Sequence, residues 1–156
     1  GEISSEKFIN THVDYAKELN KQDFIHIWNS ILGNLPDHRL KFIEELKASG
    51  KFRLFLLSNT NQLHMNWVKA NVENFNRFQS CFEQFYLSHE IGFRKPTAEI
   101  FEFVVSQNHI KPEETLFIDD TPDHINTAKS LGFQVWHLNE KEQDVTDLLE
   151  VKRSIL

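Results

Sequence analysis

Two adjacent carboxylates, Asp119 and Asp120, close the apolar run Leu116–Ile118, and Thr121 and Pro122 follow directly. A short apolar run is typical of a buried strand, and Thr-Pro is typical of the start of a helix. Neighbouring carboxylates repel each other, and a hard cation such as Mg²⁺ prefers their oxygens as ligands. The pair therefore predicts either a metal site at a strand end or a helix cap beside a solvated carboxylate.

Two further segments carry side chains suited to binding an anion. Ser58 and Asn59 end an apolar run before a helical pattern, where a hydroxyl, an amide and backbone N–H groups could meet phosphate. Lys95 lies just before a helix that Thr97 is predicted to cap, and its ammonium could neutralise phosphate charge there. Each segment also has an ordinary interpretation, because Ser and Asn are common turn residues and most lysines near helix starts are solvated.

Helical patterns fill the first third of the chain, with Asp23 predicted to cap the second helix, Gly33 to end it in a left-handed conformation and Asp37 to start the third. Short apolar runs then alternate with helical patterns. The predicted strands are Phe52–Leu57, Gln84–Leu87, Thr115–Ile118 and Gln134–Leu138, and the predicted helices lie near Gln62–Phe75, Thr97–Gln107, Pro122–Leu131 and Val145–Val151. This alternation predicts an α/β fold, a Rossmann-like parallel sheet with helices on both faces.

The candidate residues that follow predicted strands lie at the carboxyl ends of those strands. Ser58 and Asn59 follow the first predicted strand, and Asp119 and Asp120 follow the third. In open parallel sheets, ligands bind at the carboxyl ends of the strands. Turn residues cluster between residues 33 and 37, so we expect a helical region at 1–35 and the α/β region at 36–156.

Composition narrows the classes of partner. The chain has 156 residues, 23 acidic and 17 basic side chains, and a formal net charge of -6 with neutral histidine. The lysines and arginines are not clustered in any segment that would form a basic face, so neither nucleic acid nor an anionic membrane is an expected partner. The single cysteine, Cys81, excludes an internal disulfide and predicts a cytoplasmic protein.

The order of the three polar segments is more specific than any one of them. Leu57-Ser58-Asn59-Thr60, Arg94-Lys95-Pro96 and Ile118-Asp119-Asp120 resemble the second, third and fourth motifs of the haloacid dehalogenase (HAD) superfamily. The surrounding sequence is similar to the subfamily with a helical cap inserted after the first strand, and within it to bacterial sugar-phosphate phosphatases of the α-glucose-1-phosphate type. The resemblance covers nearly the whole chain and makes residues 1–35 the C-terminal part of that cap.

The resemblance implies roles for five residues in a Mg²⁺-dependent phosphatase. Ser58 would hydrogen-bond a phosphoryl oxygen and Asn59 would add further contacts. Lys95 would stabilise the nucleophile and the transferring group. Asp120 would coordinate Mg²⁺, and Asp119 would act on the metal directly or through a bound water. His124 stands where many relatives have asparagine, so the role of that position is not carried over.

The family's first motif does not occur before Ser58. That motif is a central strand ending in Asp-x-Asp, which supplies the nucleophile and the general acid and base, whereas Asp14, Asp23 and Asp37 all lie in or beside helical patterns. Three explanations are open: the sequence lacks its N-terminal part, the protein is a non-catalytic binding or interaction module, or a separate chain supplies the strand. The first predicts a phosphomonoester hydrolase for a small phosphorylated metabolite, of which these residues alone form an inactive fragment.

Other reactive side chains receive structural interpretations. The eight histidines show no His-x-x-x-His spacing with a carboxylate partner, so His64, His89, His109 and His137 are interpreted as structural or surface residues. Cys81 has no supporting His or Asn pattern. Trp28 lies on the apolar stripe of a helix, where core packing is the expected role and lining a substrate pocket is the alternative.

Overall fold

Helices alternate with short strands through most of the chain in the computed structural model, which describes residues 2–16 and 18–153. The helices are α1 (Ser5–Tyr15), α2 (Lys21–Asn29), α3 (Asp37–Ala48), α4 (Gln62–Asn71), α5 (Phe75–Ser80), α6 (Ser88–Ile91), α7 (Ala98–Asn108), α8 (Pro122–Ser130) and α9 (Leu148–Val151). The strands are β1 (Phe55–Ser58), β2 (Gln84–Leu87), β3 (Leu116–Asp119) and β4 (Gln134–His137), and 3₁₀ turns cover Pro112–Glu114 and Val145–Asp147.

The four strands form two parallel pairs. β1 pairs with β2 so that Ser58 lies opposite Leu87, and β3 pairs with β4 so that Asp119 lies opposite His137. Parallel pairing confirms the predicted α/β class, since parallel strands need a crossover connection and helices supply it here. Each of the four strands has one paired neighbour among the described residues, so the sheet takes the form of two separate two-stranded ladders.

Contacts divide the chain into two compact units, one ending at Gly92 and the other beginning at Phe93. The predicted boundary between residues 35 and 36 falls inside the first unit and stays a prediction. In the first unit, Met65, Phe75 and Leu87 form a buried cluster against which partly buried side chains pack; these are Leu56, Val68, Val72, Phe78 and Phe85. The helices α4 and α5 therefore cover one apolar face of the β1 and β2 pair.

The second unit has its own core, centred on α7. Ile100 and Phe101 are 0% and 1% exposed. The ring of Phe101 meets the rings of Phe117 and Phe133 edge to face, with centroids 5.1 Å and 5.8 Å away. Edge-to-face contacts of this kind add to the gain from burial. This packing holds α7 against the strand that carries Asp119.

Two predicted helix signals are wrong. Asn20, rather than Asp23, caps α2, because its side-chain oxygen accepts hydrogen bonds from the backbone N–H groups of Gln22 and Asp23. Gly33 does not end that helix in a left-handed conformation: α2 stops at Asn29 and is followed by Ser30 in a right-handed conformation. Either Asn or Asp can cap a helix, so the spacing alone did not distinguish them.

Other boundaries differ from the predictions by a few residues. β1 begins at Phe55 rather than Phe52, the helix predicted over 62–75 ends at Asn71, and a separate helix, α5, begins at Phe75. Residues 72–74 separate the two helices, and Asn74, directly before α5, has a positive φ of 63°. Asparagine tolerates the left-handed region better than most residues, so the chain can turn there.

Cys81 has the structural role that the sequence predicts. The residue is 4% exposed, and its Sγ lies 3.3 Å from the carbonyl oxygen of Arg77, to which it donates. Burial raises the pKa of the Cys81 thiol, which disfavours the reactive thiolate.

The described part of the chain contains no helix with both the length and the apolar character needed to cross a membrane.

We predict that Phe101→Ala destabilises the protein by about 4 kcal/mol, because it removes a ring that packs on two others and leaves a cavity. Urea denaturation followed by circular dichroism measures the change. Glu102→Ala, on the exposed face of the same helix, is the control and should leave the free energy of unfolding nearly unchanged. Equal losses in the two variants would contradict the assignment of Phe101 to the core.

Candidate active site

The segment from Ser58 to Asn61 connects the end of β1 to the start of α4. Ser58 is the last residue of the strand, and Asn61 caps the helix through a hydrogen bond of 3.0 Å from the backbone N–H of His64. The unpaired N–H groups and the dipole at the start of a helix favour an anion. The segment therefore combines a hydroxyl, an amide and a helix N-terminus at a strand end.

The neighbouring strand holds this segment in place. Ser88 follows β2. Its hydroxyl oxygen accepts a hydrogen bond from the N–H of Thr60, and its O–H donates one to the carbonyl oxygen of Thr60, both at 3.0 Å. The register explains the contact, because Leu87 lies opposite Ser58 and the chains leave both strands at the same edge. These two hydrogen bonds to the backbone of Thr60 restrict the path of the loop beside Ser58.

In the second unit, Lys95 and Asp119 form a buried ion pair. The Nζ of Lys95 lies 2.6 Å from Oδ2 of Asp119, and the two side chains are 8% and 7% exposed. The ammonium also lies 5.5 Å from the centroid of the Phe117 ring. A buried charge is tolerated when it is paired and hydrogen-bonded. The ion pair thus fixes a lysine at the carboxyl end of β3.

The other oxygen of Asp119 is also fully engaged. Oδ1 accepts hydrogen bonds of 2.9 Å from the backbone N–H of Thr121 and from Nδ1 of His124. Burial alone would raise the pKa of Asp119, but the bonds from Lys95, Thr121 and His124, with the charge of Lys95, hold that pKa below its usual range. The carboxylate is therefore ionised and fixed in orientation at neutral pH.

Asp120 lies in a different environment from its neighbour. It is exposed just beyond the end of β3, and its Oδ1 lies 3.4 Å from the hydroxyl of Thr121. A carboxylate of this kind is a suitable ligand for a hard cation, which commonly takes one or two protein carboxylates and completes its shell with water or substrate. The described residues contain no cluster of three or more acidic, histidine or cysteine side chains that could hold a metal alone.

Two histidines contribute contacts that the sequence patterns did not predict. His124 donates to Asp119, and Nε2 of His137 donates to the carbonyl oxygen of Asp120 at 3.0 Å. His137 lies opposite Asp119 in the ladder, and His124 lies in the first turn of the helix that follows the strand. A side chain in the first turn after a strand end can reach back to it, and that position was the available signal for His124.

The structure thus brings some of the predicted site residues together. Lys95 and Asp119 are in direct contact, and Asp120 is the next residue along the chain. Ser58 and Asn59 lie at the end of β1, in the unit that ends at Gly92.

We predict that Lys95→Met destabilises the protein by about 3 kcal/mol at pH 7, because Asp119 is left buried without its cation. Thermal or urea unfolding measures the loss. The matched control is Lys111→Met, which removes the exposed ion pair with Glu114 and should have no measurable effect. If the two variants lost equal stability, the buried pair would have no special role.

The destabilisation should depend on pH in a defined direction. The lowered pKa of Asp119 gives the wild type stability that is present above the ordinary value of 3.8 and disappears as pH falls through the folded-state value. Loss of Lys95 raises the pKa of Asp119. The stability difference between wild type and Lys95→Met should therefore narrow as pH falls from 7 toward about 4.

Comparisons with known proteins agree on one family. A family model described as haloacid dehalogenase-like hydrolase matches residues 5–132. The D-ribitol-5-phosphate phosphatase of Bacteroides thetaiotaomicron is 31% identical over 140 residues, which cover 87% of this chain and 66% of the relative. The chain therefore spans slightly less than two thirds of the length of that relative.

Solved structures give the same result. A HAD family enzyme from Bacteroides thetaiotaomicron, in complex with magnesium and inorganic phosphate, is 32% identical with a TM-score of 0.84, and the match covers 95% of this chain and 75% of the other. A HAD-like family hydrolase from Porphyromonas gingivalis is 30% identical with a TM-score of 0.81 and coverages of 98% and 75%. The order of motifs, the α/β fold and these matches show that this chain belongs to the haloacid dehalogenase-like hydrolase family.

Proposed function

We propose that this chain is part of a Mg²⁺-dependent phosphomonoester hydrolase that acts on a small phosphorylated metabolite, with a sugar or polyol phosphate as the favoured class. The observation that carries the proposal is the Lys95 and Asp119 ion pair, held at a strand end directly before the exposed Asp120. Phosphoryl transfer depends mainly on positioning and on stabilising negative charge, and these residues suit both tasks. Family membership supports the reaction type.

Ser58 and Asn59 are proposed to bind the phosphoryl oxygens. They lie at the N-terminal end of α4, and the adjacent backbone is tied to Ser88. A hydroxyl and backbone N–H groups held in this way are hydrogen-bond donors to phosphate that need little rearrangement on binding. These residues would orient the phosphorus for attack.

The carboxylates divide two tasks between them. Asp120 is proposed as the Mg²⁺ ligand because it is exposed and because Mg²⁺ is usually held by one or two carboxylates together with substrate phosphate. Both oxygens of Asp119 already accept hydrogen bonds, which favours a contact to the metal through water and a main role in orienting Lys95. When bound, Mg²⁺ would screen the negative charge between the phosphate and the attacking carboxylate.

Lys95 is proposed to stabilise the negative charge of the transferring group. Its ammonium is held by Asp119, so little side-chain freedom is lost when the substrate binds. The low pKa of Asp119 keeps that partner charged at neutral pH.

The nucleophile is proposed to lie outside the 156 residues. None of the four described strands ends in Asp-x-Asp, and about a third of the ribitol-phosphate phosphatase has no counterpart in the match. An aspartate there would form a bond to phosphorus as the ester P–O bond breaks, and water would then release phosphate from the aspartyl-phosphate. By this proposal the 156 residues alone release no phosphate.

Relatives support a small phosphorylated substrate without specifying it. One relative is a D-ribitol-5-phosphate phosphatase and another, from Methanocaldococcus jannaschii, is a glyceraldehyde 3-phosphate phosphatase. The alternative function is a non-catalytic binding or interaction module of the same fold. It is supported by the four described strands, none of which supplies the nucleophile.

We predict that the protein expressed from its complete reading frame releases phosphate from sugar or polyol phosphates only when Mg²⁺ is present. Asp120→Asn should lower kcat/KM by at least about 100-fold, because it removes the charged ligand. Phosphate release measured with and without a chelator tests both statements.

The matched control is Asp123→Asn, an exposed carboxylate three residues further along that has no proposed metal role. It should keep nearly full activity. Absence of phosphate release from a broad panel of phosphomonoesters would exclude the hydrolase and leave the binding module as the remaining function.

Ser58→Ala should lower kcat/KM by about 100-fold, since it removes one donor to the transferring phosphate. Ser106→Ala, an exposed hydroxyl on α7, is the control and should leave phosphate release unchanged. Equal activity of the two variants would show that Ser58 does not contact the phosphate.

A further inference from the structure

The backbone at the end of β3 is held by two consecutive residues at the end of β4. The backbone N–H of Leu138 donates to the carbonyl oxygen of Asp119 at 3.0 Å, and Nε2 of His137 donates to the carbonyl oxygen of Asp120, also at 3.0 Å. Asp119 is the last residue of β3 and lies opposite His137 in the ladder. The side chain of His137 therefore extends the hydrogen bonding between the two strands to a peptide group beyond the end of β3.

The contact defines what the ring of His137 must supply. A carbonyl oxygen can only accept a hydrogen bond, so Nε2 carries a proton and donates it. An apolar ring of similar shape would leave the carbonyl oxygen of Asp120 without this bond. The side chain of His137 is exposed, so packing in the core does not account for its position.

The bond from His137 holds the backbone of Asp120 and leaves its carboxylate open. That carboxylate is exposed. Asp119 differs, because its side chain is fixed directly by Lys95 and His124. A carboxylate that has to meet a metal ion cannot be saturated in the same way. Its direction depends on the backbone that carries it, and at Asp120 this backbone is bonded to His137.

Mg²⁺ is sensitive to the direction of its ligands, because it demands a nearly ideal octahedral arrangement of oxygens. Loss of a group that orients a metal ligand typically lowers metal affinity or activity by about 10- to 100-fold. A peptide group that rotated more freely at Asp120 would present the carboxylate over a wider range of directions. Weaker Mg²⁺ binding would follow.

We infer that His137 is a positioning residue for Mg²⁺ binding, because its hydrogen bond to the carbonyl oxygen of Asp120 fixes the direction of the Asp120 carboxylate. The inference rests on the proposed function, since it assumes that Asp120 is the Mg²⁺ ligand. In this role the ring contacts neither the metal nor the substrate and acts only through Asp120. It adds a residue of β4 to a site whose other members belong to the three polar segments.

The experiment measures Mg²⁺ binding to the complete protein without substrate, by isothermal titration calorimetry. His137→Phe keeps an aromatic ring but removes the N–H donor, and it should raise the dissociation constant for Mg²⁺ about tenfold. His137→Gln places an amide N–H at a similar reach and should keep nearly the wild-type constant. Rescue by glutamine would show that the hydrogen bond, and not the ring, is what matters.

Gln134→Phe is the matched control, because Gln134 is exposed on the same strand and has no proposed contact with Asp120. It should leave Mg²⁺ affinity unchanged. The melting temperature without Mg²⁺ separates positioning from a general structural role, and it should be nearly the same in the wild type and in His137→Phe. The loss of kcat/KM in His137→Phe should also be larger at low Mg²⁺ concentration than at high concentration.

The outcomes separate this inference from the proposed function. Equal Mg²⁺ affinity in the wild type and His137→Phe, or equal weakening in His137→Gln and His137→Phe, would overturn the inference and leave the hydrolase intact. A wild type that binds Mg²⁺ but releases no phosphate would overturn the hydrolase, and the affinities of the variants would still decide the role of His137.

Absence of Mg²⁺ binding in the wild type would overturn the inference together with the metal role of Asp120, and phosphate release would then test the hydrolase separately. If His137→Phe fails to fold, His137→Asn gives the same comparison, since its shorter amide does not reach the carbonyl oxygen. His137→Asn should then bind Mg²⁺ more weakly than His137→Gln, and equal affinities would contradict the inference.

Discussion

The second unit is organised around one buried carboxylate. Asp119 ends β3 with its side chain 7% exposed, so its charge must be compensated inside the protein. Three groups supply the compensation: the ammonium of Lys95, the backbone N–H of Thr121 and the ring of His124. These groups come from the segment before α7 and from the beginning of α8. One carboxylate therefore joins three elements and fixes the lysine that the reaction is proposed to use.

The same constraint explains why two identical neighbouring residues differ in role. Successive side chains along an extended segment point in opposite directions, so a buried carboxylate at position 119 leaves the next one outside. Both oxygens of the Asp119 carboxylate accept hydrogen bonds, whereas Asp120 is exposed and its carboxylate has a long contact with the hydroxyl of Thr121. The buried carboxylate of Asp119, which orients the Lys95 ammonium, and the exposed carboxylate of Asp120 therefore lie on opposite sides of one extended segment. No additional loop or insertion is needed to place them side by side.

The sequence predicted the strand ends well because short apolar runs and the polar residues after them are local signals. All four strands form near their expected positions, and the motifs around Ser58, Lys95 and Asp119 are specific enough in their order to indicate the family to which the chain belongs. Contacts between residues of different elements were harder to predict from the sequence. The contact of His124 with Asp119 depends on where the first turn of α8 faces, and the bond from His137 to the carbonyl oxygen of Asp120 depends on the register of β3 and β4.

Errors in the predicted helix ends have a common physical cause. Asn20 and Asp23 are both good capping residues three positions apart, so local propensity does not choose between them. The break at Asn74 depends on a left-handed residue that the helical pattern does not reveal. The amphipathic stripe gives the face of a helix, while its ends are decided by single hydrogen bonds and single backbone conformations.

The pairing of the strands has a consequence for how the chain folds. β1 meets β2 with Phe55 opposite Gln84, and β3 meets β4 with Leu116 opposite Gln134, so each ladder closes over a short stretch of intervening chain. Folding is faster when the contacting residues are near in sequence, because less loop entropy is lost before the contacts form. Each ladder can therefore assemble with the helices that connect its strands, α4 and α5 in the first and α8 in the second, as soon as that stretch of polypeptide leaves the ribosome. The order of synthesis then favours formation of the β1 and β2 ladder before Lys95 and Asp119 meet.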